Sequence, residues 1–264
     1  KAGADGTEKF MVQEVDPNDR NKAISDPYEI EGWTKFDFEG RKDKYSDFKW
    51  HWYHFNGTDY NNINKKTAIY KMTGDGKNWD QNVDDENGNY DYLMFANIDY
   101  ERGDVVEEMK KWGVWVANEL NLDGFRLDAI KHINNNFIEE FLKEVRGVRG
   151  EDFYAVGEYW KGDLESIQEY LDNVNYQADL FDVPLHFNFF TASKNGSAYD
   201  LRQIFDNALV VNNKLFAVTF VDNHDSQWGS SLESQIDSWF KPLAYALILL
   251  IADGYPCIFY GDYY

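Results

Sequence analysis

The stretch "LDGFRLDAIKHI", residues Leu122–Ile133, decides the fold. Its core, Gly-Phe-Arg-Leu-Asp-Ala-Ile, predicts a strand, and the two-residue period of a strand puts Arg126 and Asp128 on the same face. A charged side chain among apolar residues must be paired, hydrogen-bonded or used in chemistry, because burying it alone is costly. Arg126 is expected to keep Asp128 ionised, since a nearby positive charge favours the charged form of a carboxyl. The strand therefore ends either in a structural ion pair or in a functional acid.

Strand-like and helix-like segments alternate downstream of residue 104. The predicted strands lie near 123–128, 153–157, 178–183, 216–221 and 257–260. The predicted helices between them lie near 136–146, 163–171, 199–208 and 238–252. Such alternation implies a parallel sheet with helices outside it. Five strands are too few to close an eight-stranded barrel, so the sheet is either open or begins upstream of Lys1.

The sequence before residue 104 has a different texture. Residues 1–103 are rich in Gly, Asn, Asp and aromatic residues, and short alternating runs such as Phe48–Phe55 are separated by turn dipeptides. This pattern predicts irregular β structure. A helix is predicted from Asp104, which can cap it, and a second from Asn136, ending at Gly147. We therefore place a domain boundary near residue 103.

Composition narrows the class of partner. The 264 residues are 43% hydrophobic, which is enough for a sizeable core, and 26 Lys and Arg against 47 Asp and Glu give a net charge of −21. This charge repels nucleic acid and anionic membranes, whereas it suits divalent cations or a neutral polar substrate, or serves solubility alone. The longest apolar run, residues 243–252, is far shorter than the ~20 residues that span a bilayer. The start at Lys1 resembles a cut through a longer chain, so the sequence holds no targeting information.

Acids recur at the carboxyl ends of the predicted strands. Asp128 ends the first of these strands, Glu158 ends "FYAVGEYW", and "AVTFVDNHDSQ" runs into Asp222, His224 and Asp225. One such acid is most simply a structural ion pair, but functional residues of parallel sheets gather at these ends. Two carboxyls flanking one bond, one ionised and one protonated, are what glycoside cleavage with retention requires. The acids alone therefore favour a glycosidase.

Four ordered motifs carry a family resemblance. "DGFRLDAIKHI", "GEYW", "FVDNHD" and "FYGDYY" resemble motifs of the α-amylase family of glycoside hydrolases, family 13, and its liquefying bacterial members in particular. The segment "GWTKFDF…YSDFKWHWYHF…ENGNYDYLM" resembles their domain B, so the resemblance covers essentially the whole chain. It implies a (β/α)8 TIM barrel of which strands four to eight are present. It also implies that residues 1–103 are the inserted, β-rich domain B and residues 104–264 a partial catalytic barrel.

The resemblance implies a role for each matching residue. Asp128 matches the catalytic nucleophile, Glu158 the general acid/base and Asp225 the third acid. The implied substrate-binding residues are Arg126, Lys131, His132 and His224. Trp160, close to Glu158, is a further substrate-binding candidate as a platform for a sugar ring. Each has a structural alternative: His224 could be a core histidine, Lys131 a solvated loop residue, and the aromatic run Phe48–Phe55 a domain core instead of a sugar platform. Asp182 and Asp222 are read as structural acids.

A calcium site is also implied. The resemblance assigns Asp91, Asn97 and the backbone of His132 to calcium, and Asp80 and Asp99 to an added metal cluster. The stretch "NYDYLMFANIDYE" is rich in the oxygen ligands that calcium prefers. Three residues depart from the aspartates usual in the family, which lowers the charge of the site: Asn56, Asn97 and Glu101. We therefore expect one structural calcium ion and no full cluster.

The predicted activity is endo-hydrolysis of internal α-1,4 links of starch, glycogen or maltooligosaccharides. The alternatives are a glucan transferase or maltooligosaccharide-forming relative, which would use the same acids, and a non-catalytic glucan-binding homologue, which would be expected to lack one of them. We expect a monomer without nucleic acid or membrane partners, and the reduced metal cluster favours the cytoplasm over secretion. Residues 1–264 expressed alone are expected to be unstable and nearly inactive, since an unclosed barrel exposes strand edges.

Overall fold

The computed structural model describes residues 3–264 and contains two compact units. The first unit comprises the residues up to Asn121 together with Lys131–Gly150, and the second comprises Leu122–Ile130 together with Glu151–Tyr264. This division groups the helices that follow residue 103 with the β-rich segment. The two units are described separately below.

The first unit contains an antiparallel sheet of six strands. They are β1 (Gly6–Asp16), β2 (Asp19–Ala23), β3 (Tyr28–Lys35), β4 (Phe55–Asn61), β5 (Lys66–Met72) and β6 (Asn97–Ile98). The order across the sheet is β2-β1-β5-β4-β6, and β3 pairs with β1. The predicted β structure of this region is therefore present.

Inward-facing side chains of these strands form a small core. Phe10, Val12, Ile30, Phe55, Tyr70 and Met72 are buried together. Trp50 and Trp52 pack against them, and Trp52 stacks on Phe10 with ring centroids 5.9 Å apart. The aromatic run Phe48–Phe55 thus contributes to a domain core, as its structural reading predicts. Burial of such rings supplies much of the stabilisation of a small domain.

Two helices complete the first unit. Helix α1 runs from Gly103 to Glu119 and α2 from Asn135 to Arg149. The predicted caps are wrong by two residues: Arg102 precedes α1, with Asp104 in its first turn, and Asn134, not Asn136, accepts the N–H of Phe137. Gly147 lies inside α2, and Gly150 is the C-cap that follows its last residue, Arg149. Helix boundaries shift in this way because several neighbouring residues can each serve as a cap.

The second unit is built on five parallel strands. They are β7 (Gly124–Leu127), β8 (Tyr154–Gly157), β9 (Asp179–Phe181), β10 (Ala217–Phe220) and β11 (Tyr255–Cys257). They lie side by side in chain order, every pair parallel. The parallel sheet predicted from the alternation of elements is confirmed. β11 begins two residues earlier than predicted and includes Pro256, a residue that an outer strand tolerates.

The helices of the second unit agree less well with prediction. They are α3 (Leu164–Asn173), α4 (Val183–Asn195), α5 (Leu209–Asn212), α6 (Lys241–Leu250) and α7 (Tyr260–Tyr263). Helices near 163–171 and 238–252 are confirmed in position. The helix predicted over 199–208 is wrong, since only a 3-10 turn at Leu201–Gln203 forms there. The helix between β9 and β10 is instead α4, whose sequence is apolar on most faces and lacks an amphipathic period.

No helix in the described part of the chain is long and apolar enough to cross a membrane.

Candidate active site

Asp128 lies immediately after β7 and is held by the arginine two residues before it. The Arg126 guanidinium donates through Nη1 to Asp128 Oδ1. β7 is an outer strand of the five-stranded sheet, and the Asp128 side chain is 67% exposed. The predicted ion pair is therefore present, and the Asp128 carboxylate is also open to solvent. An exposed, oriented carboxylate is accessible to a substrate.

Glu158 follows β8 and is fixed by its backbone. Its N–H donates to Leu127 O at 2.8 Å, and its carbonyl accepts from Ile130 N at 3.1 Å. Gly157, the residue before it, allows this close approach, because a Cβ there would lie 2.3 Å from Cδ1 of Ile130. The Glu158 side chain is only 7% exposed. The end of β8 thus holds a buried carboxyl beside the residues that follow β7.

One guanidinium contacts both carboxyls. Besides bonding Asp128 through Nη1, Arg126 places Nη2 3.1 Å from Glu158 Oε1, at the distance of an ion pair. Burial raises the pKa of Glu158; Arg126 opposes this shift, whereas the Asp128 and Asp225 carboxylates add to it. A buried carboxyl with a raised pKa beside an exposed carboxylate is an arrangement suited to acid/base work.

Ala129 gives Glu158 a further contact that the sequence did not suggest. Its φ is 50°, in the left-handed region, which costs a residue with a Cβ roughly 1–2 kcal/mol. In this conformation its N–H donates to Glu158 Oε2 at 3.4 Å. Strain of this kind persists where the surroundings hold it in place. No residue pattern in the sequence indicates a positive φ at an alanine.

Asp225 and His224 lie in the segment after β10. The Asp225 N–H donates to Asn223 Oδ1 at 2.9 Å, and His224 Nε2 is 3.1 Å from Asp225 Oδ2. The His224 side chain is 60% exposed, which excludes the alternative of a core histidine. Both side chains are therefore available to a ligand.

The two acids read as structural have structural partners. Asp222 is buried, 2.9 Å from the ammonium of Lys241, and accepts from Ser226 Oγ. Asp182 is buried and accepts the backbone N–H of Leu185, as the N-cap of α4. Neither carboxylate is open to solvent, so their assignment as structural residues is supported.

Trp160, predicted as a sugar platform, packs on other rings. Its ring centroid lies 5.5 Å from that of His186, 6.0 Å from Phe187 and 6.1 Å from Phe220. It is half-buried, so only part of its surface is free for a ligand. Its role in substrate binding stays a prediction.

Lys131 and His132 belong to the first unit. Lys131 is buried, and its ammonium lies 2.9 Å from Glu86 Oε2 and 4.8 Å from the centre of the Tyr90 ring. The alternative of a solvated loop lysine is therefore wrong, because Glu86 and Tyr90 enclose it. His132 Nδ1 is 2.6 Å from the Tyr90 carbonyl oxygen, and burial lowers the His132 pKa to about 4. Its ring is neutral at physiological pH.

The predicted calcium residues also lie in the first unit. Asp91 is buried and accepts from the amide groups of Asn56 and Asn97, at 2.7 and 2.9 Å, and from the backbone N–H of Asp80. Burial raises the Asp91 pKa to about 7, and the Asp80 carboxylate adds to the shift. The structure thus brings Asp91, Asn97 and Asp80 together, and the hydrogen-bond donors that contact the buried Asp91 carboxyl directly are neutral amide and backbone N–H groups.

Asp80 and Asp99, predicted for the added cluster, have other partners. Both carboxylate oxygens of Asp80 accept from Asn134 Nδ2 at 2.8 Å. The Lys77 ammonium lies 2.7 Å from Asp99 Oδ2, and both side chains are buried. Among residues 3–264, no three His, Cys, Asp or Glu side chains are arranged to hold one ion. Lys77 was not singled out by the sequence, because a lone lysine carries no pattern.

Comparison with known proteins gives consistent matches. Residues 31–264 match the family model described as alpha amylase, catalytic domain. Over its whole length the chain is 53% identical to an alpha-amylase from Geobacillus stearothermophilus and covers 48% of that protein. It is 52% identical to a glucan 1,4-alpha-maltohexaosidase from Bacillus sp. strain 707 and covers 51% of that protein. It thus spans about half the length of these curated relatives. A crystal structure of an alpha-amylase from Geobacillus thermoleovorans with acarbose matches with a TM-score of 0.52 and 28% identity, over 64% of this chain and 39% of that one.

Proposed function

The chain belongs to the alpha-amylase family, and from this premise we propose that the protein hydrolyses internal α-1,4 links of starch or glycogen with retention at the anomeric carbon. The observation that carries the proposal is the pair of carboxyls on one guanidinium: Asp128 exposed, Glu158 buried with a raised pKa. Two carboxyls that share one guanidinium favour the short separation of about 5–5.5 Å used by retaining enzymes over the longer one of inverting enzymes.

In the first step, Glu158 donates its proton to the glycosidic oxygen while a carboxylate oxygen of Asp128 attacks the anomeric carbon. The bond to the leaving glucan breaks, and a glycosyl ester forms on Asp128. The environment suits both roles. Burial keeps Glu158 protonated to higher pH than an ordinary glutamate, and Arg126 orients Asp128 for attack.

In the second step, Glu158 is ionised and takes a proton from a water molecule. The water oxygen attacks the anomeric carbon, the ester bond to Asp128 breaks, and the sugar leaves with its original configuration. Arg126, which contacts both carboxyls, favours the ionised form of Glu158. The N–H of Ala129, directed at Glu158 Oε2, also stabilises that ionised form.

Asp225 and His224 are proposed to hold the sugar at the reaction centre. The exposed imidazole can donate to a sugar hydroxyl, and the Asp225 carboxylate beside it can accept from another. Asp225 also raises the pKa of Glu158, so it supports the acid as well as the substrate. For Lys131 and His132 we retain the proposed substrate contacts on the family resemblance alone, and for Trp160 on its position close to Glu158.

The five parallel strands support the proposal that residues 104–264 are part of a (β/α)8 barrel, with β7 to β11 as its fourth to eighth strands. Residues 1–103 are proposed to be domain B. In a barrel of this kind the active site lies at the carboxyl ends of the strands, where Asp128 and Glu158 follow β7 and β8.

The buried carboxylates of the first unit fit one structural calcium ion. Calcium prefers carboxylate, amide and carbonyl oxygens, and Asp91 with Asn97 supplies the first two types. Burial raises the Asp91 pKa because its direct neighbours are neutral, and a bound cation would offset this cost of ionisation. Asp91, the Asn97 amide and the backbone carbonyl of His132 would hold the ion, which when bound supplies positive charge to the buried carboxylates. Asp80 and Asp99 are less suited to further metals, because the Asn134 amide already bonds both Asp80 oxygens and the Lys77 ammonium neutralises Asp99.

A second candidate is an enzyme that releases maltooligosaccharides of one length or transfers glucan chains. The 52% identity to a maltohexaosidase favours keeping it. Product analysis on starch separates the two: a broad mixture of linear products indicates endo-hydrolysis, and one dominant length or cyclic products indicate the alternative. In either case the partner is a neutral glucan, which the net charge of −21 does not repel.

The test is starch digestion by the whole protein and by its Asp128→Asn and Glu158→Gln variants. Either substitution should lower the rate by at least about a thousandfold, since each removes a reacting group. Glu165→Gln, an exposed acid in the first turn of α3, is the matched control and should be unaffected. Ordinary activity in either active-site variant would refute the assignment of the acids.

A further inference from the structure

An open groove lies in the second unit beside the segment that carries Asp225. Its volume is about 660 Å³. Its walls come from the end of α4, the segment between β10 and α6, and the start of α6 and α7. The groove is lined by one large exposed ring, Trp228, and by charged side chains of both signs. None of the three proposed catalytic acids lines it.

Trp228 is unusually exposed for its type. Its side chain is 82% exposed, although a tryptophan typically buries a large apolar area on folding. Scattered exposed apolar residues are ordinary on protein surfaces. Trp228 differs because it lies on the rim of a groove and is only three residues from Asp225.

The backbone around Trp228 is firmly held. Leu232 N donates to Asp225 O at 3.2 Å, and Ser234 N donates to Ser226 O at 3.0 Å, so the segment folds back on the residues next to the active site. Gly229, directly after Trp228, has φ 79° and donates its N–H to Glu233 Oε2 at 2.9 Å. A left-handed residue here makes the turn from which the indole projects. The exposed Trp228 ring is therefore carried by a backbone segment that these hydrogen bonds hold in place.

The remaining lining suits a polyhydroxy ligand. The Lys194 ammonium pairs with the Asp237 carboxylate, both partly exposed, and also lies 5.1 Å from the centre of the Phe190 ring. Such a pair offers both hydrogen-bond donors and acceptors to hydroxyl groups. The flat indole offers an apolar surface for the C–H face of a pyranose ring. An apolar platform with a few polar groups is the usual composition of a ligand site.

We propose that this groove is a substrate subsite in which a glucose ring of the glucan chain stacks on Trp228, away from the bond that is cut. The inference rests on the proposed function, and it assigns the binding of a long glucan chain in part to Trp228. The subsite matters only for chains that reach from the catalytic acids into the groove. Trp228 is therefore a binding residue that distinguishes long from short substrates.

The test compares a long and a short substrate in the whole protein. For Trp228→Ala, the KM for maltoheptaose should rise about tenfold, as loss of one stacking contact of ~1.4 kcal/mol implies, with kcat little changed. Hydrolysis of a nitrophenyl maltoside should stay within about twofold, because this substrate ends before the groove. Trp228→Tyr should restore most of the affinity for maltoheptaose, since it retains a flat ring.

The matched control is Trp239→Ala. Trp239 is also exposed, but its indole N–H bonds Ser193 O at 3.2 Å and it does not line the groove. Its loss should leave the KM for maltoheptaose unchanged. An unchanged KM in Trp228→Ala, or an equal loss on both substrates, would overturn the subsite while leaving hydrolysis intact.

A binding measurement separates this inference from the proposed function. Calorimetric titration of maltoheptaose into Glu158→Gln, with and without Trp228→Ala, needs no turnover. Weaker binding in the double variant supports the subsite even if the whole protein hydrolyses no glucan, in which case only the proposed reaction fails. Equal binding in both variants, or none in either, overturns the subsite.

Discussion

Substitution of Asp182 by alanine should be among the most destabilising changes in the second unit. The Asp182 side chain is 0% exposed, and its carboxylate accepts three backbone N–H groups. They belong to Leu185 at 3.1 Å, Leu209 at 3.0 Å and Val210 at 2.8 Å. One carboxylate therefore caps α4 and also meets two donors at the start of α5. Burial raises the Asp182 pKa, and these donors oppose the shift.

The magnitude follows from the donors left behind. Each buried N–H without an acceptor costs about 1–3 kcal/mol. Three such N–H groups give the largest possible cost. Removal of the buried carboxylate offsets part of that cost, so we expect a net loss of about 3 kcal/mol in the free energy of unfolding. Asp182→Asn keeps one acceptor oxygen and should lose less.

The assay is urea unfolding of the whole protein and its variants, followed by circular dichroism. Asp200→Ala is the control: Asp200 caps a 3-10 turn by accepting Arg202 N, but at a partly exposed position, so its loss should cost about 1 kcal/mol or less. If Asp182→Ala unfolds at the same urea concentration as the wild type, the account of Asp182 as a shared cap is wrong.

Three further predictions concern pH and metal. Burial lowers the pKa of His186 to about 4 from an ordinary 6.5, so the protein should lose about 3 kcal/mol of unfolding free energy as the pH falls from 6.5 toward 4. His186→Gln should flatten this pH dependence in unfolding titrations. The same pH dependence in the variant and the wild type would refute the prediction. Glu158 must be protonated in the first step and its pKa is raised, so kcat/KM for a glucan should fall as the pH rises through that pKa. The kcat/KM for a maltosyl fluoride should not fall, because fluoride leaves without a general acid. A fall at alkaline pH for both substrates would contradict the role of Glu158 as the acid. Asn97→Asp adds a carboxylate beside Asp91 and should make the melting temperature more dependent on calcium, measured with and without chelator. Asn64→Asp, in an exposed turn, is the control and should not change this dependence. Equal calcium dependence of the two variants would argue against the proposed ion.

The parallel sheet was predictable because its signal is local and repeated. Each of β7 to β11 is a short apolar run bounded by turn residues, and the alternation with helices implies parallel pairing. Helix α4 was not predictable in the same way. Its sequence has no polar face, and the cap that starts it, Asp182, reads equally well as a strand-end acid. The helix predicted over 199–208 rested on the alternation of elements alone, and only a 3-10 turn forms there.

The sequence predicted the acids of the candidate site, but not the residues and backbone geometry around them. Asp128, Glu158 and the pairing with Arg126 follow from strand period and strand ends. The left-handed backbone of Ala129, the ion pair of Lys131 with Glu86 and the exposed ring of Trp228 do not. Each depends on residues distant in sequence or on a turn geometry that no local pattern encodes.

The central claim is a retaining double displacement with Asp128 as nucleophile and Glu158 as acid/base. The most direct test is proton NMR of the products released by the whole protein from maltoheptaose, recorded before mutarotation. The account predicts that the new reducing ends first appear as the α-anomer. Initial release of the β-anomer would contradict it, since inversion needs a water in the place where Asp128 attacks.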